Sequence, residues 1–562
     1  MASIKLERPL PPTPPLSDDE QSPRLFCHLP DVLSKLSNPQ LRYERKMGDT
    51  ELSYFLPSRQ SGVNDMYLHL GFRAAEQFVR RSRVATVWAI LRLRHPLLAA
   101  TVEMHDYDDV RFVYSAPTNV DDALADANSN LEYRDHSKDV LIDSYLNGPR
   151  TLSNSRLSYL IVSSPSSHSI PTPPLTPTSA EELATDLQPA VERPEDKQHD
   201  ILICAMHFLG DGMALHAFAN DFFGLLGSEK SDSELKLQLV DEWEMRWGSP
   251  AHDTSILPRS LEENMPVKWT RIRRAAARVD FLMSQEELVG GQVFPRRKHP
   301  ERHTVVPTVS FPTDRTKAML KKCKSNGVSI SAALFAVCNV AWARMGGGRK
   351  ELPIMMYSAL NLRPYFTVKQ PSPWDSYWFL AIGYFNVILP NFLPQDGDKV
   401  EAIFWHRARQ AKEQSTVAAK HPLVVSRTHE MARERGKRAR RWGKEDDEKE
   451  KGTWTPPCPP STSSPPLEPV LPARAESSST ALLGLSLLGN LDGIYKHANF
   501  PSIRMHTLTT GSRQRHGAML LFGYTFAGKL WVSLGYDENG FAGDVVDSFW
   551  AELIGCMEEF LG

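Results

Sequence analysis

The chain has 562 residues and a mass of 63.3 kDa, with 41% hydrophobic, 23% charged and 9% aromatic residues. That balance excludes a small disulfide scaffold and a wholly disordered chain, and leaves room for two or three ordinary domains. Lys plus Arg total 65 against 67 Asp plus Glu, a net charge of −2, so no overall field draws in nucleic acid or an anionic membrane.

The N-terminus, MASIKLERPLPPTPPLSDDE, lacks the apolar stretch of a signal peptide. Residues 1–50 read as a partly disordered extension of a cytoplasmic protein. Val84, Val87, Trp88 and Leu91 fall at helical spacing and predict a helix ending near His95-Pro96. LLAATVEM and VRFVYSA predict two strands joined by the acidic turn HDYDD. DILICAMHF then reads as a buried strand and ALHAFANDFFGLL as a helix. Ile330, Leu334, Val337 and Ala341 mark another helix, followed by strand candidates LPIMMYSALNL and IGYFNVIL. Tyr377 to Leu393 is too short and too interrupted by Gly383, Asn386 and Pro390 to span a membrane. HGAMLLFGYTF and KLWVSLGYD predict a hairpin about Ala527-Gly528, and VVDSFWAELIGCMEEF a closing helix. Alternating helices and strands predict an α/β layered fold.

Half of the 42 prolines fall in residues 1–25, 165–194 and 456–472, stretches also rich in Ser and Thr. Such segments bury too little apolar surface to offset ordering entropy. The organisation expected is therefore a subdomain over 51–227 with a disordered insertion at 164–197, a connecting segment at 228–310, and a second subdomain over 311–562 with a disordered insertion at 430–478. KRARR, inside the last insertion, reads as a solvated helix running into a loop, because acids follow it at once.

Cys27, Cys204, Cys323, Cys338, Cys458 and Cys556 form no Cys-x-x-Cys pair, so they spell out no zinc or redox motif and read as intracellular thiols. No other metal-ligand spacing is evident. One constellation carries chemistry. CAMHFLGDGMAL places His207, Asp211 and Gly212 at a strand-to-helix junction, where a neutral imidazole can take a proton from an incoming hydroxyl and the carboxylate fixes the loop. Gly212 would allow a backbone shape closed to other residues, and Asp211 would equally serve as a helix cap. His105 and Asp109 repeat the spacing in an acidic turn with no glycine and no helix after them, which marks them as a decoy. A lone histidine beside an apolar strand is more often a core residue than a base, so both readings stand at this point.

His207 to Gly212 resembles the active-site motif of the CoA-dependent acyltransferase superfamily, which includes nonribosomal peptide condensation domains, HxxxD acyltransferases and fungal O-acyltransferases such as the trichothecene O-acetyltransferases. LRLRHPLLAATV, with Arg94 and His95, resembles its helix-to-strand segment; SALNLRPYF and AIGYFNVILP resemble its later strands through Asn361, Arg363, Gly383 and Asn386. Departures are Met206 where condensation domains carry a second histidine, Ala99 in place of a second arginine, and LLGNLDG (Leu487 to Gly493) where plant-type members have D-F-G-W-G. They favour the fungal O-acyltransferase branch of secondary metabolism.

The resemblance implies two chloramphenicol-acetyltransferase-like domains of mixed sheets flanked by helices, with a tunnel between them. It implies a monomer with acyl-CoA as cosubstrate, no bound cofactor or metal, and transfer of an acyl group, most simply acetyl, to a hydroxyl of a small terpenoid or glycolipid acceptor. His207 would be the base, Asp211 would pair with Arg363 or else Arg94, and Asn386 would contact substrate or make a strand-end hydrogen bond. The alternatives are a free-standing condensation enzyme fed by a carrier-protein thioester and a noncatalytic binding protein of the same fold.

Overall fold

Fifteen strands form among the residues that the computed structural model describes, 41–164, 196–248, 256–367, 372, 374–394, 397–456 and 480–562. The first half supplies β1 (Arg42–Lys46), β2 (Met66–Ala75), β3 (Thr101–Met104), β4 (Val110–Ser115), β5 (Leu131–Arg134), β6 (Ser158–Ser163) and β7 (Asp196–Ala205). The second half supplies β8 (Thr304–Val305), β9 (Thr308–Phe311), β10 (Ile354–Asn361), β11 (Ile382–Leu389), β12 (Gly484–Asn490), β13 (Arg504–Ser512), β14 (Met519–Phe526) and β15 (Lys529–Asp537).

Two large sheets result. One runs β13-β2-β7-β6-β5, the other β11-β10-β12-β14-β15-β8 with β9 also on β15, and a small sheet runs β1-β4-β3. Both large sheets mix parallel and antiparallel pairs, as in the parallel β5–β6 beside the antiparallel β6–β7 and the parallel β12–β14 beside the antiparallel β14–β15. β7 sits at the centre of the first sheet and is buried from His199 to Ala205, which is why ILICA reads as an unbroken apolar run rather than an alternation. Each large sheet has its own core. That of the first gathers Trp88, Phe208 and Phe218; that of the second gathers the helices Ile330–Arg344, Gly397–Lys420 and Val545–Leu561, where the Phe404 and Phe560 rings stack at 4.5 Å.

The expected helices at 84–91, 330–341 and 546–557, the strand pair before and after HDYDD, and the closing hairpin all form. The hairpin turns at Ala527 and Gly528, both with positive φ (52° and 72°), as a two-residue turn with the twist of its strands requires. Asp492 accepts from both turn amides at 2.7 and 3.0 Å.

The structure corrects the domain boundaries. β13, from the second half, is an edge strand of the first sheet, aligned with β2 from Arg504 opposite Arg73 to Ser512 opposite Met66. The loop between β10 and β11 likewise sends Trp374, Trp378 and Leu380 into the first core. The connecting segment is built into both halves: its helix Asp232–Trp247 carries Glu242, which binds Arg94, and its helix Arg271–Glu286 carries Asp280, which binds Arg427. Leu41 to Gly562 accordingly forms one compact unit.

A second correction concerns 430–478. A helix runs Val424–Glu450 through its first part. Ala432, Gly436, Ala439 and Gly443 form a buried stripe of small residues that lets this charged helix lie close against the helix Asp49–Ser58, and a Cβ on Gly443 would stand 3.1 Å from Arg59 Nη2. Arg59 grips Asp447 with two 2.9 Å hydrogen bonds and Arg440 reaches Asp49 at 2.8 Å. Order thus also reaches into the N-terminal extension, from β1 onwards. The remaining expectations for 1–40, for 165–195 and for 457–479 lie outside the described residues. So do Cys27 and Cys458, whereas Cys204, Cys323, Cys338 and Cys556 are free and buried. Among the described residues no single helix is long and apolar enough to cross a membrane.

His95 and His216 are buried in the first half, against Ser376 and Tyr495. Burial holds both imidazoles neutral, lowering each pKa from 6.5 to about 3. Between those values the unfolded chain binds protons that the folded chain refuses, so this stability is complete above pH 6.5 and is lost as pH falls toward 3. The loss should be on the order of 1 kcal/mol per pH unit for each histidine. Thermal melts from pH 7 to 4.5 should show it, and His216→Gln should flatten the slope.

Candidate active site

β7 ends at Ala205, and one turn of 3-10 helix, His207–Leu209, carries the chain into the helix Gly212–Leu226. Within that turn His207 Nδ1–H donates to the Gly210 carbonyl at 3.1 Å. A carbonyl only accepts, so the proton resides on Nδ1 and Nε2 keeps its lone pair. Burial lowers the pKa of the imidazole below 6.5, opposed by backbone hydrogen bonding and by the Asp211 charge. A neutral base at a strand end is the result. His105, the decoy, is exposed in its turn.

Asp211 performs both of the roles proposed for it. As N-cap, its Oδ1 accepts from the Ala214 amide at 3.1 Å. Arg363 Nη1 donates to the two carboxylate oxygens at 3.0 and 2.9 Å, and the Ala381 amide donates to Oδ2 at 2.8 Å. The carboxylate is 2% exposed and its acceptor positions face these donors. Arg363 is positioned in turn, because its amide donates to Asn361 Oδ1 at 3.1 Å and its Nη2 to the Tyr377 and Phe379 carbonyls at 3.2 Å. Arg363 is therefore the partner, and Arg94 is not: its guanidinium Nε binds Glu242 at 2.8 Å. His95 instead donates packing, its ring 4.3 Å from that of Tyr377.

The special backbone shape expected at Gly212 is absent. Gly212 is the first helical residue and its φ lies outside the left-handed region. What favours glycine is proximity, since a Cβ there would meet Leu488 Cδ2 at 3.1 Å. Asn386 lies on β11 opposite Tyr357 and borders a cavity of about 170 Å³ between β11 and the helices Arg271–Glu286 and Val424–Glu450. His207 is not among the residues that border the cavity; Tyr384 is, and Tyr54 contacts both Tyr384 and His207.

Tyr54, Tyr384 and Arg435 are the residues that sequence reasoning missed. The Tyr54 ring lies 4.5 Å from the His207 ring, tilted by 32°. Its hydroxyl shares a hydrogen bond with that of Tyr384, and the Arg435 guanidinium lies over both rings, 5.4 and 4.4 Å from their centres. Burial pushes the Tyr54 phenol well above its usual range, so it stays protonated. No motif flags Tyr54. The available signal for Arg435 was the 4-3-4 spacing of small residues around it, which marks a packed helix face. Among the described residues no cluster of three or more His, Cys, Asp or Glu is placed to hold a metal ion.

Removing one member of a buried ion pair strands the other, at a cost of about 3 kcal/mol or more. Asp211→Asn and Arg363→Ala should each lower the melting temperature and turnover together, and the double variant should lose much less than the sum. Additive losses in that cycle would show that the two act independently.

Neither a protein-family model nor a curated protein sequence matches the chain. Solved structures do. The trichothecene 15-O-acetyltransferase of Fusarium sporotrichioides superposes with a TM-score of 0.65 at 12% identity, covering 92% of this chain and 96% of that one. The cyclization-docking bidomain of the EpoB nonribosomal peptide synthetase from Sorangium cellulosum gives 0.51 at 11% identity, over 92% and 85%. The condensation domain of the monacolin K polyketide synthase gives 0.51 at 10% identity, over 93% and 98%. The chain therefore has the two-lobed α/β fold of these acetyltransferase and condensation-type structures.

Proposed function

We propose that the protein is an acyl-CoA-dependent O-acyltransferase acting on a hydroxyl of a small metabolite, with His207 as general base. The observation that carries this reading is the tautomer of His207: its Nδ1 proton is tied to the Gly210 carbonyl, so Nε2 is the nitrogen free to accept a proton. The likeness of the fold to a trichothecene O-acetyltransferase supports it. Nε2 takes the acceptor hydroxyl proton as the oxygen attacks the thioester carbonyl carbon. The tetrahedral adduct then collapses, the C–S bond breaks, and the imidazolium returns its proton to the departing thiolate. Asp211 takes no part in that transfer, because its oxygens are held by Arg363, Ala381 and Ala214. It keeps the loop, and so the imidazole, in place. Acceptance of a hydroxyl rather than an amine follows from a single imidazole at the site, Met206 being buried where a second would stand.

Release of free thiol from acetyl-CoA and longer acyl-CoAs, with alcohol, glycolipid and amine acceptors in parallel, tests the reading. His207→Ala should lower kcat by about a hundredfold to ten-thousandfold with an unchanged melt, and His105→Ala should be silent. Because burial lowers the His207 pKa, the acid limb of kcat/KM should fall below pH 6.5, where activity is lost as the base is protonated. Turnover only with a carrier-bound donor would instead identify a condensation enzyme. Binding without thioester consumption would identify a binding protein.

A further inference from the structure

The helix Arg271–Glu286 has its faces reversed. A surface helix normally turns its apolar face to the core and its charges to water. Here only Ala277 and Phe281 are buried, while Ile272, Val279 and Met283 stand 82%, 56% and 62% exposed. Their positions in the chain put these three on one side of the helix, with the exposed Ala275 and Ala276 between them and the exposed Leu282 at the edge. Apolar side chains scattered singly over a surface need no explanation, but a continuous row along one helix does.

The same helix borders a groove against the helix Val424–Glu450. The groove holds five cations, Arg271, Arg274, Arg278, Arg433 and Lys437, and one carboxylate, Glu434. Arg278 is neutralised by Glu434 at 2.8 Å and Arg433 by the buried Glu430 at 2.9 Å. Among the described residues no carboxylate pairs with Arg271, Arg274 or Lys437. Ala275 belongs both to the apolar row and to the groove, so hydrocarbon and unpaired positive charge lie side by side, although the whole chain carries a net charge of −2.

That juxtaposition defines the chemistry of the partner. Nucleic acid offers phosphates but no hydrocarbon to cover Ile272 and Met283. The boundary of an anionic bilayer offers phosphates at the level of the arginines and acyl chains just beneath them, and a helix with an apolar face flanked by arginine lies flat in it. At 1.5 Å per residue the helix presents about 24 Å of such an edge. Its inner side, through Phe281, Ser284 and Gln285, lines the cavity beside Asn386, so lipid on the outer side would lie one helix away from that cavity.

We propose that the protein docks on anionic lipid surfaces through the outer face of the helix Arg271–Glu286 and the basic groove beside it. The contact is peripheral, with the helix axis in the plane of the interface and the apolar row reaching just below the headgroups. It is independent of the acyl-transfer reading and concerns where the protein works, not what it transfers.

The experiment floats the full-length protein with vesicles of phosphatidylcholine alone or mixed with phosphatidylserine, at low and high salt. The mixed vesicles should bind it about tenfold more tightly or better, and salt should release it. Arg271→Ala with Arg274→Ala should weaken binding about 30-fold, the contribution of two basic residues beside an anionic surface. Ile272→Ser with Val279→Ser and Met283→Ser should weaken it about tenfold or more. Leu237→Ser with Met245→Ser, which alters exposed apolar residues of the helix Asp232–Trp247, should change nothing. No flotation with the mixed vesicles at low salt overturns the proposal. Flotation that neither patch variant weakens overturns it as well, and puts the lipid contact elsewhere. Equal, salt-insensitive binding to both vesicles removes the role of the groove and overturns it too. Dimerisation, or binding of an acidic carrier protein, that depends on the apolar row and occurs without flotation overturns it and identifies a protein interface. The comparison of vesicles and salts in the parent protein holds whether or not the variants fold.

Discussion

The ion pair between Asp211 and Arg363 is the contact on which the site depends. Asp211 follows the central strand of the first sheet, and Arg363 follows β10 of the second. One carboxylate therefore joins the two halves at the base of the His207 loop, while also capping the helix Gly212–Leu226. A buried pair of this kind adds little net stability over a well-packed apolar contact. Its value is geometric: the carboxylate is satisfied in one arrangement of loop, β10 end and β11 start, and every other arrangement leaves a buried charge unpaired.

That constraint passes directly to His207. With Gly210 and Asp211 fixed at the end of the turn, the Gly210 carbonyl is presented to Nδ1 and the imidazole is held in one tautomer. Trp378, fully buried, packs beside Gly210 and against Phe218, so the loop that brings Arg363 its two carbonyl acceptors is also wedged into the first core. His207 and its support are thus set by packing from both halves. A substitution that loosens the Trp378 segment would reach His207 without touching it.

The opposite wall of the site is a separate construction. The helix Val424–Glu450 is mostly charged, and its docking on the helix Asp49–Ser58 relies on a narrow stripe of Ala and Gly with ion pairs at its ends. This close approach brings Arg435 over Tyr54 and Tyr384. His207 sits on the strand-to-helix turn of the first sheet, whereas the Arg435 charge comes from a helix docked through this stripe of small residues.

Local features of the sequence were enough to identify some parts. Apolar spacing marked the helices at 84–91 and 330–341, the alternation and turn at Ala527-Gly528 marked the final hairpin, and the strand-loop-helix context separated His207 and Asp211 from the His105 decoy. Each of these is decided within a dozen residues, because periodicity and turn chemistry act locally. The family resemblance put Arg363 ahead of Arg94 as the Asp211 partner, but its hydrogen bonds join positions 152 residues apart, and only the folded chain decides between them. The same holds for β13 crossing into the first sheet, for the ordering of a charged helix by a partner more than 380 residues away, and for the meeting of Tyr54, Tyr384 and Arg435. Sequence determined which segments form elements and which histidine ends a strand beside a helix. Tertiary structure decided what surrounds that histidine, because burial and long-range pairing are properties of the assembled sheets and leave no local periodicity to read.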